Sequence, residues 1–579
     1  MSRKQLVNGV SIKVENRSGF DKGYFNALTT KVGAITPIVK QLMLPNSSGS
    51  CRVKISAQLP PLATDAFLRS HLKLEAFFVP LRLCYGGFES WFCGREVYDA
   101  NNRRFVRAKL PYFLVPDYAN FEGSYSDGTT VAFEKAFGPG SLLDYFGVYW
   151  KKNVTFSSRR NITISAGPTS EDLSVEPYAG LNIFPWLCYG LIYDEYYRNK
   201  FVERPLFAPP TARPSQEMVL ESTALSAYNL PYISSGDAIG VVGASDAVSF
   251  GVNAAFSAIK DELLNGHLCD LRQRNYGDDY FTAAMPNAGG ESTTISIVDG
   301  RFSIGALRLG NALAEFEDVN NYASPDYLQT LSARYGASLS AGIAQKPILL
   351  GSADFPMYTS GVEQTAQGEG QQVNNPFDTV GSRFGRAHAE GSDFVCKFNV
   401  DEPGYFMVMV TLVPEAQYFQ GISRDMQIFL SENGGDSLTD LPCGLLESIG
   451  NDAIFENELL SSENGVFGYV QRYLWHKLGN RNQVHGLFRK DESLGSFVVQ
   501  RGFDSIDGIS SAFLKVKPTD LDNVAAVSAG ISKYGCMIDS KIDLFVSEPL
   551  TESAIPALAN PAHEHGRTVY VKTGGSKLA

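Results

Sequence analysis

Chemistry needs acids and bases, nucleophiles, metal ligands or phosphate-cradling glycines at working spacings. The adjacent acidic pairs Asp194-Glu195 and Asp278-Asp279 have the residue types for general acid–base work. In 579 residues such pairs also arise by chance, and nothing in the sequence makes them converge. His563-Glu-His565 has metal-ligand types, but on a small-residue tail it reads as a solvated segment. Gly368-Glu-Gly370 lacks the third glycine and the strand-to-helix setting of a phosphate cradle, and no GxSxG elbow occurs. The eight cysteines, Cys51, Cys84, Cys93, Cys188, Cys269, Cys396, Cys443 and Cys536, lie far apart with no CxxC pair, and read as buried thiols acting as small hydrophobes. No catalytic residue, metal site or cofactor site is expected, and an enzyme survives only as a site assembled in three dimensions.

Binding chemistry is better represented. The N-terminal residues 1–24 are locally basic, with Arg3, Lys4, Lys13, Arg17 and Lys22 against Glu15 and Asp21, and could form an arm that touches phosphates. Arg159-Arg160, beside Lys151 and Lys152, is a second candidate, and Arg103, Arg104, Arg107 and Lys109 form a further cluster. These six residues, Arg3, Lys4, Lys13, Arg17, Arg159 and Arg160, are the candidate contacts to a nucleic-acid backbone. The chain as a whole has a net charge of −12, so any contact with nucleic acid must be local.

The elements that must position such groups read as β-rich. From Leu68 to Val79, Leu68, Leu72, Leu74, Ala76 and Phe78 alternate with Arg69, His71, Lys73, Glu75, Phe77 and Val79, a period of two that predicts a strand with one face in a core. Pro80 ends it, and Phe88, Trp91 and Phe92 recur at helical spacing. The charged face of that strand is expected to be wet or interfacial. Ile35–Val39 and Gln41–Pro45 read as short proline-punctuated strands, residues 51–59 as another, and Asn46-Ser-Ser-Gly-Ser as a turn. Gly140–Gly147 predicts a short helical turn, and Phe184–Lys200 a helix burying Leu187, Leu191, Ile192 and Tyr196. Residues 303–336 predict two helices, 361–381 a mobile loop and 512–550 further strands. Tyr405–Val413 is a continuous apolar run, expected to be buried on both faces.

Fifty-four glycines and 28 prolines spread along the chain punctuate many short segments, with no linker between separate domains. The reading is a basic arm over 1–24, one elaborated domain over 25–550 and a tail over 551–579. Residues 203–266, proline-rich and then rich in Gly, Ala, Ser and Val, read as a long excursion and candidate surface protrusion loop. No apolar run is long enough to cross a bilayer, and residues 1–20 lack the apolar core of a signal peptide, so a reducing cytoplasm is the expected place of synthesis.

Several stretches, in order, resemble the major capsid proteins of the Microviridae, the small single-stranded DNA bacteriophages, and especially the gokushovirus-like branch. Asp65, Phe77-Phe78-Val79-Pro80, Arg82-Leu83 and Trp91 are similar to an early block of that family, and Gly140–Gly147 to another. Pro185, Tyr189, Ile192, Glu195, Tyr197 and Arg198 fit its helix. Asp279–Pro286 resembles Asp-Tyr-Phe-Thr-Ser-Ala-Leu-Pro. Gln345-Lys-Pro347 with Leu350-Gly351 resembles its Gln-Arg-Pro segment. Glu402, Gly404-Tyr405, Gln420-Gly421 and Arg424, then Phe467-Gly-Tyr469, Arg472, Val484, Gly486, Phe488 and Arg489, fit later blocks, followed by Phe513–Val516, Pro518 and Asp520-Leu521. The family's tryptophan-rich piece is missing where the chain reads Asn287-Ala-Gly-Gly, and the long excursion precedes rather than follows the Tyr-Phe-Thr block.

The resemblance implies an all-β fold: an eight-stranded antiparallel jelly roll of viral-capsid type with long, partly helical loop insertions. It implies self-assembly into a T=1 icosahedral shell around circular single-stranded DNA, with Trp150, Trp186 and Trp475 as interface anchors. Implied partners are copies of the chain, the packaged DNA, a small basic DNA-packaging protein and a host-cell surface receptor, with no membrane insertion. The implied location is the virion, assembled in the host bacterial cytoplasm. The alternative is a receptor- or carbohydrate-binding β-rich spike protein.

Overall fold

Alternating side chains fold into antiparallel strands that form two principal sheets. The structure, a computed structural model, describes chiefly residues 18–84, 139–148, 184–203, 271–286, 346–363, 383–427, 451–478 save 464, 483–526 and 530–550, with short pieces between 88 and 113 and between 162 and 182 and the single positions 308 and 332. The early strands are β1 (Ser18–Asp21), β2 (Tyr24–Thr30), β3 (Thr36–Met43), β4 (Ser47–Gln58) and β5 (Ser70–Pro80). Three small ribbons follow: β6 (Glu96–Asp99) with β7 (Arg104–Arg107), β8 (Tyr112–Phe113) with β11 (Leu181–Asn182), and β9 (Ile162–Thr163) with β10 (Ser174–Val175). Then come β12 (Ile348–Pro356), β13 (Tyr358–Glu363), β14 (Arg383–Val400), β15 (Gly404–Pro414), the pair β16 (Asn451–Phe455) and β17 (Val466–Gln471), and β18 (Cys536–Glu548).

A six-stranded sheet runs β1-β18-β4-β14-β13, with β2 also paired to β18, and a four-stranded sheet runs β12-β5-β15-β3; their pairings are antiparallel. The chain steps repeatedly between the sheets. One step is the turn at Pro45-Asn46, where Asn46 takes a left-handed φ of 58° between β3 and β4. The turn is narrower than expected, because Ser47–Ser50 already belong to β4.

The core lies between the sheets. Cys51, Val53, Ile55 and Ala57 of β4, with Ile538, Ile542, Leu544 and Val546 of β18, face Leu72, Leu74, Ala76 and Phe78 of β5 and Phe406, Val408, Val410 and Leu412 of β15. Phe398 and Phe406 stack across the gap, centroids 4.8 Å apart at 25°. At a register shift in β12, Gly351 lets the backbones close up: a Cβ there would stand 2.1 Å from the carbonyl oxygen of Val395.

The strand over 70–80 has the predicted phase, with Leu72, Leu74, Ala76 and Phe78 inward. All eleven residues of β15 are buried, as its unbroken apolar run requires. Proline does not divide β3. Pro37 sits inside a single strand that lies at the edge of its sheet, opposite a register shift between Val408 and Met409. An edge strand has one side free of ladder bonds, so a residue without an N–H is tolerated there.

The chain after β5 returns over the outer face of the four-stranded sheet. Helix α1 (Leu81–Cys84) follows directly, Phe88 and Phe92 are helical positions with rings 5.8 Å apart, and Trp91 lies outside the described residues. Helix α2 (Leu142–Tyr145) has the predicted glycine boundaries, Gly140 at φ 85° and Gly147 at φ 81°, and its cap Ser141 accepts from the Asp144 N–H. Helix α3 (Phe184–Ile192) continues as a π-helix over Tyr193–Tyr197. The wider turn changes the phase, so Tyr193 and Tyr197 are buried and Tyr196 is 38% exposed. The expected buried stripe through Tyr196 is corrected accordingly, with Leu187 and Ile192 buried and Leu191 half-buried.

Residues 511–534 contain short helices at Ser511–Leu514, Pro518–Val524 and Gly530–Tyr534, where strands were expected from 512 on; β18 alone fills the strand reading. Gly361–Glu363 end β13 rather than open a loop, and 364–382 fall outside the described residues. The two helices expected over 303–336 lie outside the described residues except Arg308 and Ser332, both helical. The 203–266 excursion lies outside them beyond Glu203. No helix among the described residues is long and apolar enough to cross a membrane.

The inter-sheet stack generates a prediction. Phe406→Ala should lower stability by about 3–5 kcal/mol, read as a fall in the denaturant midpoint of the unassembled chain, whereas alanine at exposed Phe394 should move it by less than about 0.5 kcal/mol.

Candidate functional site

The charged face of β5 is where the insertions attach. Glu75 accepts from both terminal nitrogens of Arg274, at 2.6 and 3.1 Å, and from the Tyr197 hydroxyl. The Arg274 guanidinium also lies 5.2 Å from the Tyr197 ring centroid. A planar guanidinium is suited to this bidentate grip. The expectation that this face is wet therefore fails at Glu75, which ties segments 184–203 and 271–286 to the sheet. Phe77, two residues on, packs on Tyr196 and Tyr197, with centroids 5.0 and 6.0 Å away.

A second polar hub fixes the chain after β15. Arg501, 6% exposed, is caged by Tyr276 at 4.3 Å, Phe513 at 4.4 Å, Phe503 at 5.2 Å and Tyr418 at 5.6 Å from ring centroid to guanidinium carbon. It donates to the Tyr418 hydroxyl at 3.2 Å and to the Phe513 carbonyl. Tyr418 donates in turn to Asp279 at 2.7 Å, and Tyr276 to Asp520 at 2.6 Å. Nearby, buried Glu458 accepts from Tyr280 at 3.2 Å and from Arg424 at 3.4 Å. Burial first, then the adjacent carboxylate, pushes the phenols of Tyr197, Tyr276, Tyr280 and Tyr418 above the usual tyrosine range, so each stays a donor. Such perturbation can mark catalysis, but here each phenol and carboxylate has a structural partner.

The acidic pairs are accounted for in the same way. Asp279 caps its own turn, accepting from the N–H groups of Phe281 and Thr282 at 2.9 and 2.8 Å. Asp194 pairs with Arg198 at 3.4 Å, and Glu195 with Lys200 at 3.3 Å and with Lys346. The structure gives these three a scaffold role, leaves Asp278 exposed, and brings no two of the four together as acid and base.

All six candidate DNA contacts, Arg3, Lys4, Lys13, Arg17, Arg159 and Arg160, lie outside the described residues, as do Trp150, Gly368-Glu-Gly370 and His563-Glu-His565. Trp186 is buried inside the chain at 7% exposure and so is not free to act as the expected interface anchor, while Trp475 is half-buried against the core. Cys51, Cys84, Cys188, Cys396 and Cys536 are buried free thiols, as read, but Cys93 is exposed.

Sequence reasoning missed the outer face of the six-stranded sheet. Met537, Asp539, Lys541 and Phe545 point outward from β18 in strict alternation. Register places Lys541 between Phe25 of β2 and Lys54, Arg52 between Asp543 and Phe394, and Ser50 between Phe545 and Lys397. Phe25 is 76% exposed, Phe545 55% and Phe394 48%. The Lys541 ammonium lies 5.6 Å from the Phe25 ring centroid. Beside this face, β2 and α2 border an open groove of about 1220 Å³ whose lining includes Tyr24, Phe25, Lys31, Lys40, Tyr145 and Tyr534. The period of β18 was the available signal; the grouping of residues as distant as Phe25 and Phe545 had none.

Comparison with known proteins adds family information. The family described as "Capsid protein (F protein)" matches residues 177–558. The chain is 21% identical over 612 aligned residues to "Capsid protein VP1" of Chlamydia phage 1, covering 90% of this chain and 93% of that protein. It is 20% identical over 526 residues to "Capsid protein VP1" of Bdellovibrio phage phiMH2K, covering 86% and 88%.

The tyrosine network predicts an alkaline limit. An unfolded phenol loses its proton near pH 10, while the buried phenols hold theirs higher, so the unfolded state binds fewer protons above that pH. The contribution of these tyrosines to stability should be level below about pH 10 and fall as pH rises further; phenolate absorbance should show them ionising together with unfolding. Tyr418→Phe, which strips a donor from Asp279 and an acceptor from Arg501, should cost about 1–3 kcal/mol by denaturation.

Proposed function

This chain belongs to the Microviridae family of F-type capsid proteins, and on that premise we propose that it is the structural major capsid protein, many copies of which assemble into a T=1 icosahedral shell enclosing a circular single-stranded DNA genome. The supporting observation is the strand order. Eight strands in chain order, β2, β3, β4, β5, β12, β14, β15 and β18, distribute as β2-β18-β4-β14 in one sheet and β3-β15-β5-β12 in the other. Two interleaved Greek keys give this order, which supports reading the sandwich as an eight-stranded jelly roll, with β1 and β13 as additions.

The insertions then follow from where the chain leaves the barrel. One departs after β5 and returns at β12, and another departs after β15 and returns at β18. In this reading 25–550 is a single jelly-roll domain, 203–266 is an outward protrusion that meets the host receptor, and the basic arm over 1–24 and Arg159-Arg160 touch the genome. A separate small basic protein supplies further neutralisation, which suits a chain of net charge −12. The role is structural rather than catalytic, and the protein resides in the virion after assembly in the host cytoplasm. A spike would instead form elongated trimers and bind glycan; the family match gives that reading no support.

Electron microscopy of the purified chain should show small closed particles containing nuclease-protected circular single-stranded DNA, and a strictly monomeric protein under all conditions would sink the proposal. Arg3→Ala, Lys4→Ala and Lys13→Ala together should lower packaged DNA or its retention at raised salt while particles still form. Shortening 203–266 should spare assembly and impair attachment.

A further inference from the structure

The two sheets are treated differently by the chain. The outer face of the four-stranded sheet is covered around Glu75 and Phe77 by the π-helical extension of α3 and Arg274. The outer face of the six-stranded sheet carries exposed phenylalanines and cations in adjacent cross-strand rows. One row reads Phe25, Lys541, Lys54, Ser392; the next Asp543, Arg52, Phe394; and a third Asp21, Phe545, Ser50, Lys397.

We propose that this face binds single-stranded nucleic acid without regard to sequence, stacking bases on Phe25, Phe394 and Phe545 and neutralising phosphates with Arg52, Lys54, Lys397 and Lys541. The inference rests on the reading of the chain as a shell around single-stranded DNA and says which surface of the described residues meets the genome.

Three observations favour this occupant over a second copy of the chain. First, each exposed ring shares its row with a lysine or arginine, so the rings are interspersed with charge. Contacts between permanently associated subunits favour contiguous apolar area, whereas single-stranded nucleic acid pairs stacking platforms with cations along its backbone. Second, the cations are available. Lys541 shares Asp543 at 3.5 Å, and among the described residues Arg52, Lys54 and Lys397 have no carboxylate within ion-pair distance. Third, the three rows hold four cations against two carboxylates, Asp21 and Asp543, on a chain of net charge −12. Asp539 and Glu390, in the row beyond Lys541, close the patch on that side.

The spacing suits an extended strand of nucleotides. Strands lie about 4.8 Å apart, and same-face residues repeat about every 6.8 Å along each strand. Lys541 and Phe545, four residues apart on β18, are therefore separated by about 14 Å along the sheet. The arrangement can hold a few nucleotides per subunit, with bases flat on the rings and phosphates over the intervening cations. Base stacking needs unpaired bases, so duplex should bind less well.

The test uses the unassembled full chain and a fluorescein-labelled thirty-nucleotide oligothymidylate, followed by anisotropy across a salt series. Wild type should bind the single strand more tightly than a duplex of equal length. Arg52→Gln, Lys54→Gln and Lys397→Gln together should weaken binding at low salt and flatten the slope of log K against log salt by about 2, at about 0.7 for each phosphate no longer neutralised. Phe25→Ala, Phe394→Ala and Phe545→Ala together should lower affinity at least about 10-fold while leaving that slope unchanged. Far-ultraviolet circular dichroism and the denaturant midpoint verify that both triple variants remain folded.

Wild-type affinity and slope in both folded variants would overturn the proposal. So would variants that bind the oligonucleotide like wild type but fail to form particles, an outcome that assigns the face to contacts between copies. Wild-type particles with no nuclease-protected DNA would overturn the enclosing-shell reading itself. Particles that package DNA while both triple variants bind and package it equally well would overturn only the assignment of this face.

Discussion

The second face of the four-stranded sheet has to be covered, and much of the described architecture depends on that constraint. Phe77 and Val79 of β5 and Tyr405, Met407 and Met409 of β15 are buried although they point away from the inter-sheet core. Left bare they would form a large apolar patch, beyond what an isolated soluble surface carries. The chain covers them with its own insertion: α3 and its π-helical extension lie across the strands, and Asn182 donates to the Tyr405 hydroxyl at 2.8 Å. Continuous burial of β15 follows from being sandwiched in this way.

Apolar cover is not directional, so polar contacts decide where the cover sits. Glu75 provides a charged peg beside the apolar end of that face, and the Arg274 fork and Tyr197 hydroxyl grip it together. The Arg501 cage does the same for the segments around Tyr276, Tyr418 and Phe513. Buried charges of this kind add little net stability compared with apolar packing, but removing one partner strands the other. Their role here is to set the position of inserted segments whose described secondary structure is short and irregular.

This arrangement makes the protein two-sided. One sheet has the apolar end of its outer face covered by the chain's own excursion, while the other leaves a face of exposed rings and cations. A capsid subunit needs such a difference, because its two surfaces meet different surroundings. The open side is built from regular strands whose register fixes the spacing of their outward side chains.

The sequence by itself determined the local elements and the family. Period two over 68–79, the apolar run over 405–413 and the glycine-bounded turn at 140–147 each encode their structure within about ten neighbouring residues, where side-chain direction follows from backbone geometry alone. The ordered motifs were legible because each is contiguous, and the match over 177–558 agrees with them. Tertiary structure alone decided what had to be brought together from afar. Nothing near Pro37 says that its strand is an edge, and nothing near Tyr196 says that the helix widens and changes which tyrosines are buried. Glu75 is read as surface charge until Arg274 arrives from 199 positions away. Phe25 and Phe545 share a face only because both pair with neighbours in one sheet, and register between distant strands is set by the whole core rather than by either strand's own residues.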